Sequence, residues 1–116
     1  MMKNKDLRWF FDAYNETYFG GKLSRKDIVL SFAKLKKRTL GRTDFWGEKK
    51  SSAKPIALLV SKELKNRPIH VLITLLHEMC HLKLGPKSTC TVGRKGDKFH
   101  KEIARLFRAG AYKPLL

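Results

Sequence analysis

Two cysteines, four prolines and ten acidic residues are all that this 116-residue chain contains of those types, and each scarcity closes off a class of protein. Cys80 and Cys90 do not stand in a CxxC pair, so they can build neither a zinc ribbon nor a dithiol redox site. A structural disulfide is not expected in a reducing compartment, and Cys80, inside a helical pattern, reads as a small buried hydrophobe. No apolar run reaches the roughly 18 residues of a membrane span. The amino terminus is charged within its first six residues and lacks the apolar centre of a secretory signal. These absences predict a cytoplasmic, soluble protein with no membrane partner. With no internal repeat and no Gly/Ser- or Pro-rich linker, residues 1–116 are expected to form one monomeric domain around one core.

What the chain has in excess is positive charge: 26 Lys plus Arg against 10 Asp plus Glu, a formal net charge of +16. Such a field attracts polyanions over a Debye length of about 10 Å, which makes nucleic acid the first partner to consider. Lys36, Lys37, Arg38 and Arg42 lead into Phe45-Trp46, with Lys49 and Lys50 just beyond. Cations can neutralise phosphates while an exposed Trp stacks on an unpaired base for about 1–3 kcal/mol. These residues are therefore a candidate DNA face, single-stranded regions included. The competing reading places Trp46 in the core of a sheet and leaves the lysines as solvated turn residues. Arg94, Lys95, Lys98, Lys101, Arg105 and Arg108 form a second basic cluster.

Hydrophobic periodicity divides the chain into six elements. Leu7, Phe10, Phe11, Tyr14, Tyr18 and Phe19 recur at spacings of three and four and predict an amphipathic helix from about Lys5 to Phe19, stopped by Gly20-Gly21. Ile28 to Ala33 and Arg38 to Trp46 read as strands joined by the basic turn Lys34 to Lys37. After the polar stretch Gly47 to Pro55 comes a buried strand, Pro55 to Val60. Pro68 suits the first turn of a helix predicted from about Arg67 to Leu84, closed by Gly85-Pro86. Residues 86 to 96 read as a loop. Phe99, Ile103, Leu106 and Phe107 then mark a last amphipathic helix ending near Gly110. An N-terminal helix, a three-stranded sheet and two further helices make an α+β domain.

The chemistry concentrates in His77-Glu78-Met79-Cys80-His81, an HExxH string. Two histidines four apart on a helix lie on one face about 6 Å apart and can converge on one ion. Glu78 is turned by about 100° from His77, beside the metal and free to act as a base. Zinc is the expected cofactor, because it lowers the pKa of bound water to about 7 and polarises an amide carbonyl, the two needs of peptide hydrolysis. Catalytic zinc commonly takes three protein ligands. His100 is the one histidine downstream of the motif, and it shares a helical face with Gly96, Phe99, Ile103 and Phe107. His77, His81 and His100 are therefore the expected ligand set, with Glu78 as catalytic base. Asp97, Cys90 and Glu102 are chemical substitutes for His100, in that order. His70 lies about 10 Å along the helix from His77, too far to share the ion. Tyr112, close to the carboxy-terminal end, is a further hydroxyl that could serve a developing oxyanion.

Several separate segments, spanning nearly the whole chain, resemble the SprT-like (Spartan-type) zinc metallopeptidase family. Tyr14-Asn15, Tyr18-Phe19 and Gly21-Lys22-Leu23 are similar to its YN..YF.GKL opening pattern. Ile56 to Leu64 resembles the strand that precedes its motif helix, and Leu75-Leu76-His77-Glu78-Met79-Cys80-His81 is close to its LLHEMCH. The resemblance implies a minimal zincin-like domain, an HExxH-type metalloendopeptidase with a protein or peptide substrate, and coupling to DNA in the repair of DNA-crosslinked proteins. It assigns His77 and His81 as metal ligands and Glu78 as base. At the third ligand the pattern departs: the family histidine stands four residues before an aromatic, where this chain has Lys95 before Phe99. The carboxy-terminal zinc ribbon of many relatives is also missing, so targeting is expected from this domain or a partner. The reading from a different class is a basic nucleic-acid-binding module with a structural or degenerate zinc site and no protease activity. A third is a peptidase whose substrates are acidic proteins, without nucleic acid.

Overall fold

The helix that carries the HExxH string is apolar on nearly every side, and the rest of the chain is arranged to bury it. The structure, a computed structural model, describes residues 1–47, 53–86, 88 and 98–116. In chain order these form α1 (Asn4–Tyr18), β1 (Val29–Ala33), β2 (Gly41–Trp46), β3 (Lys54–Ser61), α2 (Pro68–Leu84) and α3 (Lys98–Ala109). Short 3-10 turns occupy Lys62–Leu64 and Lys113–Leu115. This is an α+β domain with three helices and a three-stranded mixed sheet, and no described helix is long and apolar enough to cross a membrane.

The sheet order is β1-β3-β2, with β1 parallel and β2 antiparallel to β3. Register puts Leu30, Leu58 and Thr43 in one row across the sheet, and Phe32, Val60 and Gly41 in the next. Directly paired residues share a face, so both rows turn toward α2. The central members of these rows, Leu58 and Val60, are fully buried. They pack with Leu7 and Phe11 of α1, Val71, Leu75, Leu76 and Met79 of α2, and Phe99 and Leu106 of α3 in one core. Because β2 is an edge strand, its two members of the rows are the polar Thr43 and the side-chain-free Gly41.

Local chemistry sets the element ends. α1 begins with the Lys3 N–H donating to the Asp6 carboxylate at 2.7 Å. At its other end Gly20 and Gly21 both take left-handed φ values, +63° and +69°, a conformation glycine adopts without a Cβ penalty. Asn15 then clamps the returning chain: its Nδ2 donates to the Leu23 carbonyl at 2.6 Å and its Oδ1 accepts from the Leu23 N–H at 3.0 Å. The Tyr-Asn…Gly-Lys-Leu spacing of this segment thus has a concrete structural use. β2 starts at Gly41 rather than Arg38, because Lys36–Thr39 closes a turn with the Thr39 N–H on the Lys36 carbonyl at 2.9 Å. Arg38 sits in that turn at φ +72°.

Asn15→Ala leaves both Leu23 backbone groups without their side-chain partners in a half-buried place, a cost of about 1–3 kcal/mol. Urea unfolding of this variant is expected to show a lower midpoint at unchanged slope. Asn15→Asp, which keeps the acceptor and loses the donor, should recover only part of the loss.

Candidate metal centre and its groove

α2 presents His77, Glu78 and His81 toward one point: a ligand atom from each lies within 4.8 Å of the others. The two imidazole rings are 5.1 Å apart, as the i, i+4 spacing requires. This His-Glu-His group could hold a metal ion.

The surroundings keep both histidines in the form a metal needs. Ser88 has one hydroxyl hydrogen, and its Oγ lies 2.7 Å from the Gly85 carbonyl, to which it donates. The 2.8 Å contact between Ser88 Oγ and His81 Nδ1 therefore has the ring N–H as donor. That fixes the tautomer and leaves the Nε2 lone pair of His81 open to an ion. Burial lowers the pKa of His77. Burial, followed by the neighbouring His77, lowers that of His81 to about 4. Both rings are neutral at pH 7, so protons do not compete for the ligand nitrogens. Phe99 of α3 packs against both imidazoles, stacked on His81 at 4.3 Å between centroids and edge-on to His77 at 4.8 Å.

Glu78 is nearly buried, at 6% exposure. Thr43 Oγ1 donates to its Oε1 at 2.9 Å. Burial raises the carboxyl pKa, the Thr43 hydrogen bond works against that rise, and the nearby Asp44 charge adds to it. The net direction is upward, which suits a group that must accept and release a proton near neutral pH. Gly41 completes the seat: a Cβ there would fall 2.7 Å from Thr74 Cγ2 and 2.9 Å from Glu78 Cγ. Any side chain at 41 would push the base out of place.

The group opens into a groove of about 630 Å³. One wall comes from β2 and the turn before it, including Arg38, Arg42, Thr43 and Phe45, and the other from Ile73 and Thr74 of α2 and from Pro86 and Ser88 beyond it.

Not every residue singled out from the sequence gathers here. His100 is half-buried on α3 and does not join the donor group. One helical step is about 100°, and it is Phe99 that turns toward the two histidines, with the His100 ring 6.1 Å from that of Phe99. Glu102 is committed elsewhere. Burial alone would raise its pKa, but hydrogen bonds from Lys83 and Arg105 outweigh this and hold it low. Asp97 and Cys90 lie outside the described residues. Tyr112 does not line the groove; it is buried, stacked on Phe107. Cys80 is a buried thiol whose pKa burial pushes up to about 12. His70 is exposed in the first turn of α2.

On the candidate DNA face, Lys36, Lys37, Arg38 and Arg42 are exposed, and Trp46 is 76% exposed, outside the core. Lys49 and Lys50, together with Arg94 and Lys95, lie outside the described residues. Sequence reasoning missed Gly41, Thr43 and Ser88. None belongs to a motif, and the only signal was their presence in segments flanking the HExxH helix.

Ser88→Ala removes the acceptor that orients His81. Zinc affinity measured by competition with a chromophoric chelator should fall about 10–100-fold, with Ser88→Thr recovering it. In the metal-free protein, both imidazoles are harder to protonate folded than unfolded, so the unfolded chain takes up more protons as pH falls. Stability of the metal-free form should therefore be at its full value above about pH 6.5, the ordinary histidine range, and decline toward pH 4. Thermal melts across that window measure this. Compared with protein-family models, with curated proteins and with solved structures, the chain matches none.

Proposed function

We propose that this chain is a zinc-dependent endopeptidase of the SprT-like kind, acting on proteins bound or crosslinked to DNA. The observation that carries this reading is the seat of Glu78: a buried carboxylate with a raised pKa, oriented by Thr43, within 4.8 Å of two neutral histidines on the floor of an open groove. A structural metal site has no need for such a base.

The two imidazoles suit zinc, which takes neutral imidazole nitrogen readily and leaves the carboxylate beside it for proton transfer. His77 and His81 would hold it, with His81 held by Ser88. When bound, zinc supplies the Lewis acidity that polarises an amide carbonyl and acidifies water. Thr43 occupies Oε1 of Glu78, which leaves Oε2 as the oxygen that takes a proton from water and later delivers it to the departing amide nitrogen. The raised pKa of Glu78 favours that return, since a carboxylate with an ordinary pKa would release its proton to solvent more readily. Phe99, packed against both imidazoles, shields that side of the site from water.

Proteolysis coupled to DNA draws on the +16 charge and on the exposed Lys36, Lys37, Arg42 and Trp46. Cations and a stacking platform in and around the strand that walls the groove would hold DNA close enough to bring the proteins on it to the base. A nucleic-acid-binding module without proteolysis is favoured by one observation, that the described donor group contains two histidines rather than three.

Glu78→Gln separates the two. The variant should keep its zinc and lose cleavage of a DNA-bound protein substrate by about 10²–10⁴-fold, while the wild type is stimulated by single-stranded DNA and that stimulation fades with salt. Equal activity in wild type and variant would falsify the mechanism. Cleavage indifferent to DNA would remove the DNA half of the reading.

A further inference from the structure

β2 is an edge strand, and the chain entering it contains a backbone outlier. Among the described residues Arg38 is the only non-glycine residue with positive φ, at +72°. It sits third in the four-residue turn Lys36–Thr39, where glycine would be free of the Cβ strain that an L side chain bears. Strain of this kind persists where the residue has a use. Arg38 lines the same groove as His77, Glu78 and His81.

Its charge is also uncompensated among the described residues. Arg42, the other guanidinium on the groove wall, pairs with Asp44 at 2.9 Å. Arg25 pairs with Asp12, and Lys83 and Arg105 share Glu102. Arg38 has no such carboxylate among the described residues. Among the described residues the one acidic side chain lining the groove is Glu78, whose Oε1 is taken by Thr43. Among the described residues, the groove therefore offers one guanidinium that no carboxylate pairs.

We propose that Arg38 makes the groove selective for an extended peptide segment carrying an acidic side chain, whose carboxylate it binds. The inference rests on the peptidase reading and adds a substrate class to it. A peptide fits better than a nucleic-acid strand, because the edge of β2 that no described strand pairs carries backbone donors and acceptors that match another backbone and not a phosphodiester. Arginine's planar fork accommodates both oxygens of a carboxylate at once.

The test measures binding rather than turnover. Zinc-loaded Glu78→Gln protein is titrated with fluorescein-labelled peptides that differ only in a single Glu or Gln, moved along the sequence position by position. At one position the Glu peptide is expected to bind about three- to tenfold more tightly, the range of a partly exposed charge-assisted contact, and the advantage should shrink with salt. The ratio should collapse to about one in Arg38→Gly and in Arg38→Asn. Both substitutes tolerate positive φ, so thermal midpoints at or above the parent's would show that folding is intact. Peptides that bind without preference for Glu, or a preference that survives both substitutions, overturn this proposal and leave the peptidase reading standing. Peptides that do not bind at all overturn both. A loss of single-stranded DNA binding in Arg38→Gly at a Glu-to-Gln ratio of one would assign Arg38 to phosphate instead and also overturn it.

Discussion

The carboxylate of Glu78 is the constraint on which the rest of this molecule turns. It lies on the most buried helix of the domain, one residue from a histidine of the candidate metal group, and cannot be left there without a partner. An ionised carboxylate removed from water is costly unless hydrogen-bonded, and here the hydrogen bond comes from Thr43 on the neighbouring edge strand. That requirement fixes how β2 lies over α2. It also explains the absence of a side chain at Gly41, where a Cβ would strike Glu78 and Thr74.

From this contact the organisation of the domain follows. Seating an edge strand against α2 requires β3 to present Leu58 and Val60 to the same helix, and α1 and α3 close the remaining sides with Leu7, Phe11, Phe99 and Leu106. The core is thus built around α2, and the His-Glu-His group lies at its margin, where the groove begins. Burial then does chemical work in two directions. It raises the carboxyl pKa of Glu78 and lowers those of His77 and His81, so one environment yields a proton acceptor and two neutral nitrogen donors.

A groove lined by Arg38 and Arg42 within a chain of net charge +16 attracts anionic groups toward its mouth. Glu102 illustrates how differently the same residue type is treated away from the groove. Two cations saturate it, its pKa is held low, and it ties α3 to α2. Its role is structural, although its side chain is as buried as that of Glu78.

The six elements, the mixture of helix and strand, and the trio His77, Glu78 and His81 were legible in the residues, because periodicity and i, i+4 spacing are local properties that a helix converts directly into geometry. The start of β2 was misplaced by three residues, since a left-handed Arg38 carries no local sign that it is a turn residue. What only the tertiary structure decided lies between elements: Phe99, not His100, meets the imidazoles, Thr43 and Gly41 seat the base, and Ser88 sets the tautomer of His81. Trp46 likewise read equally well as core or surface. These outcomes depend on the register of an edge strand and the rotation of a packed helix, and both are set by the sum of core contacts rather than by neighbours in the chain.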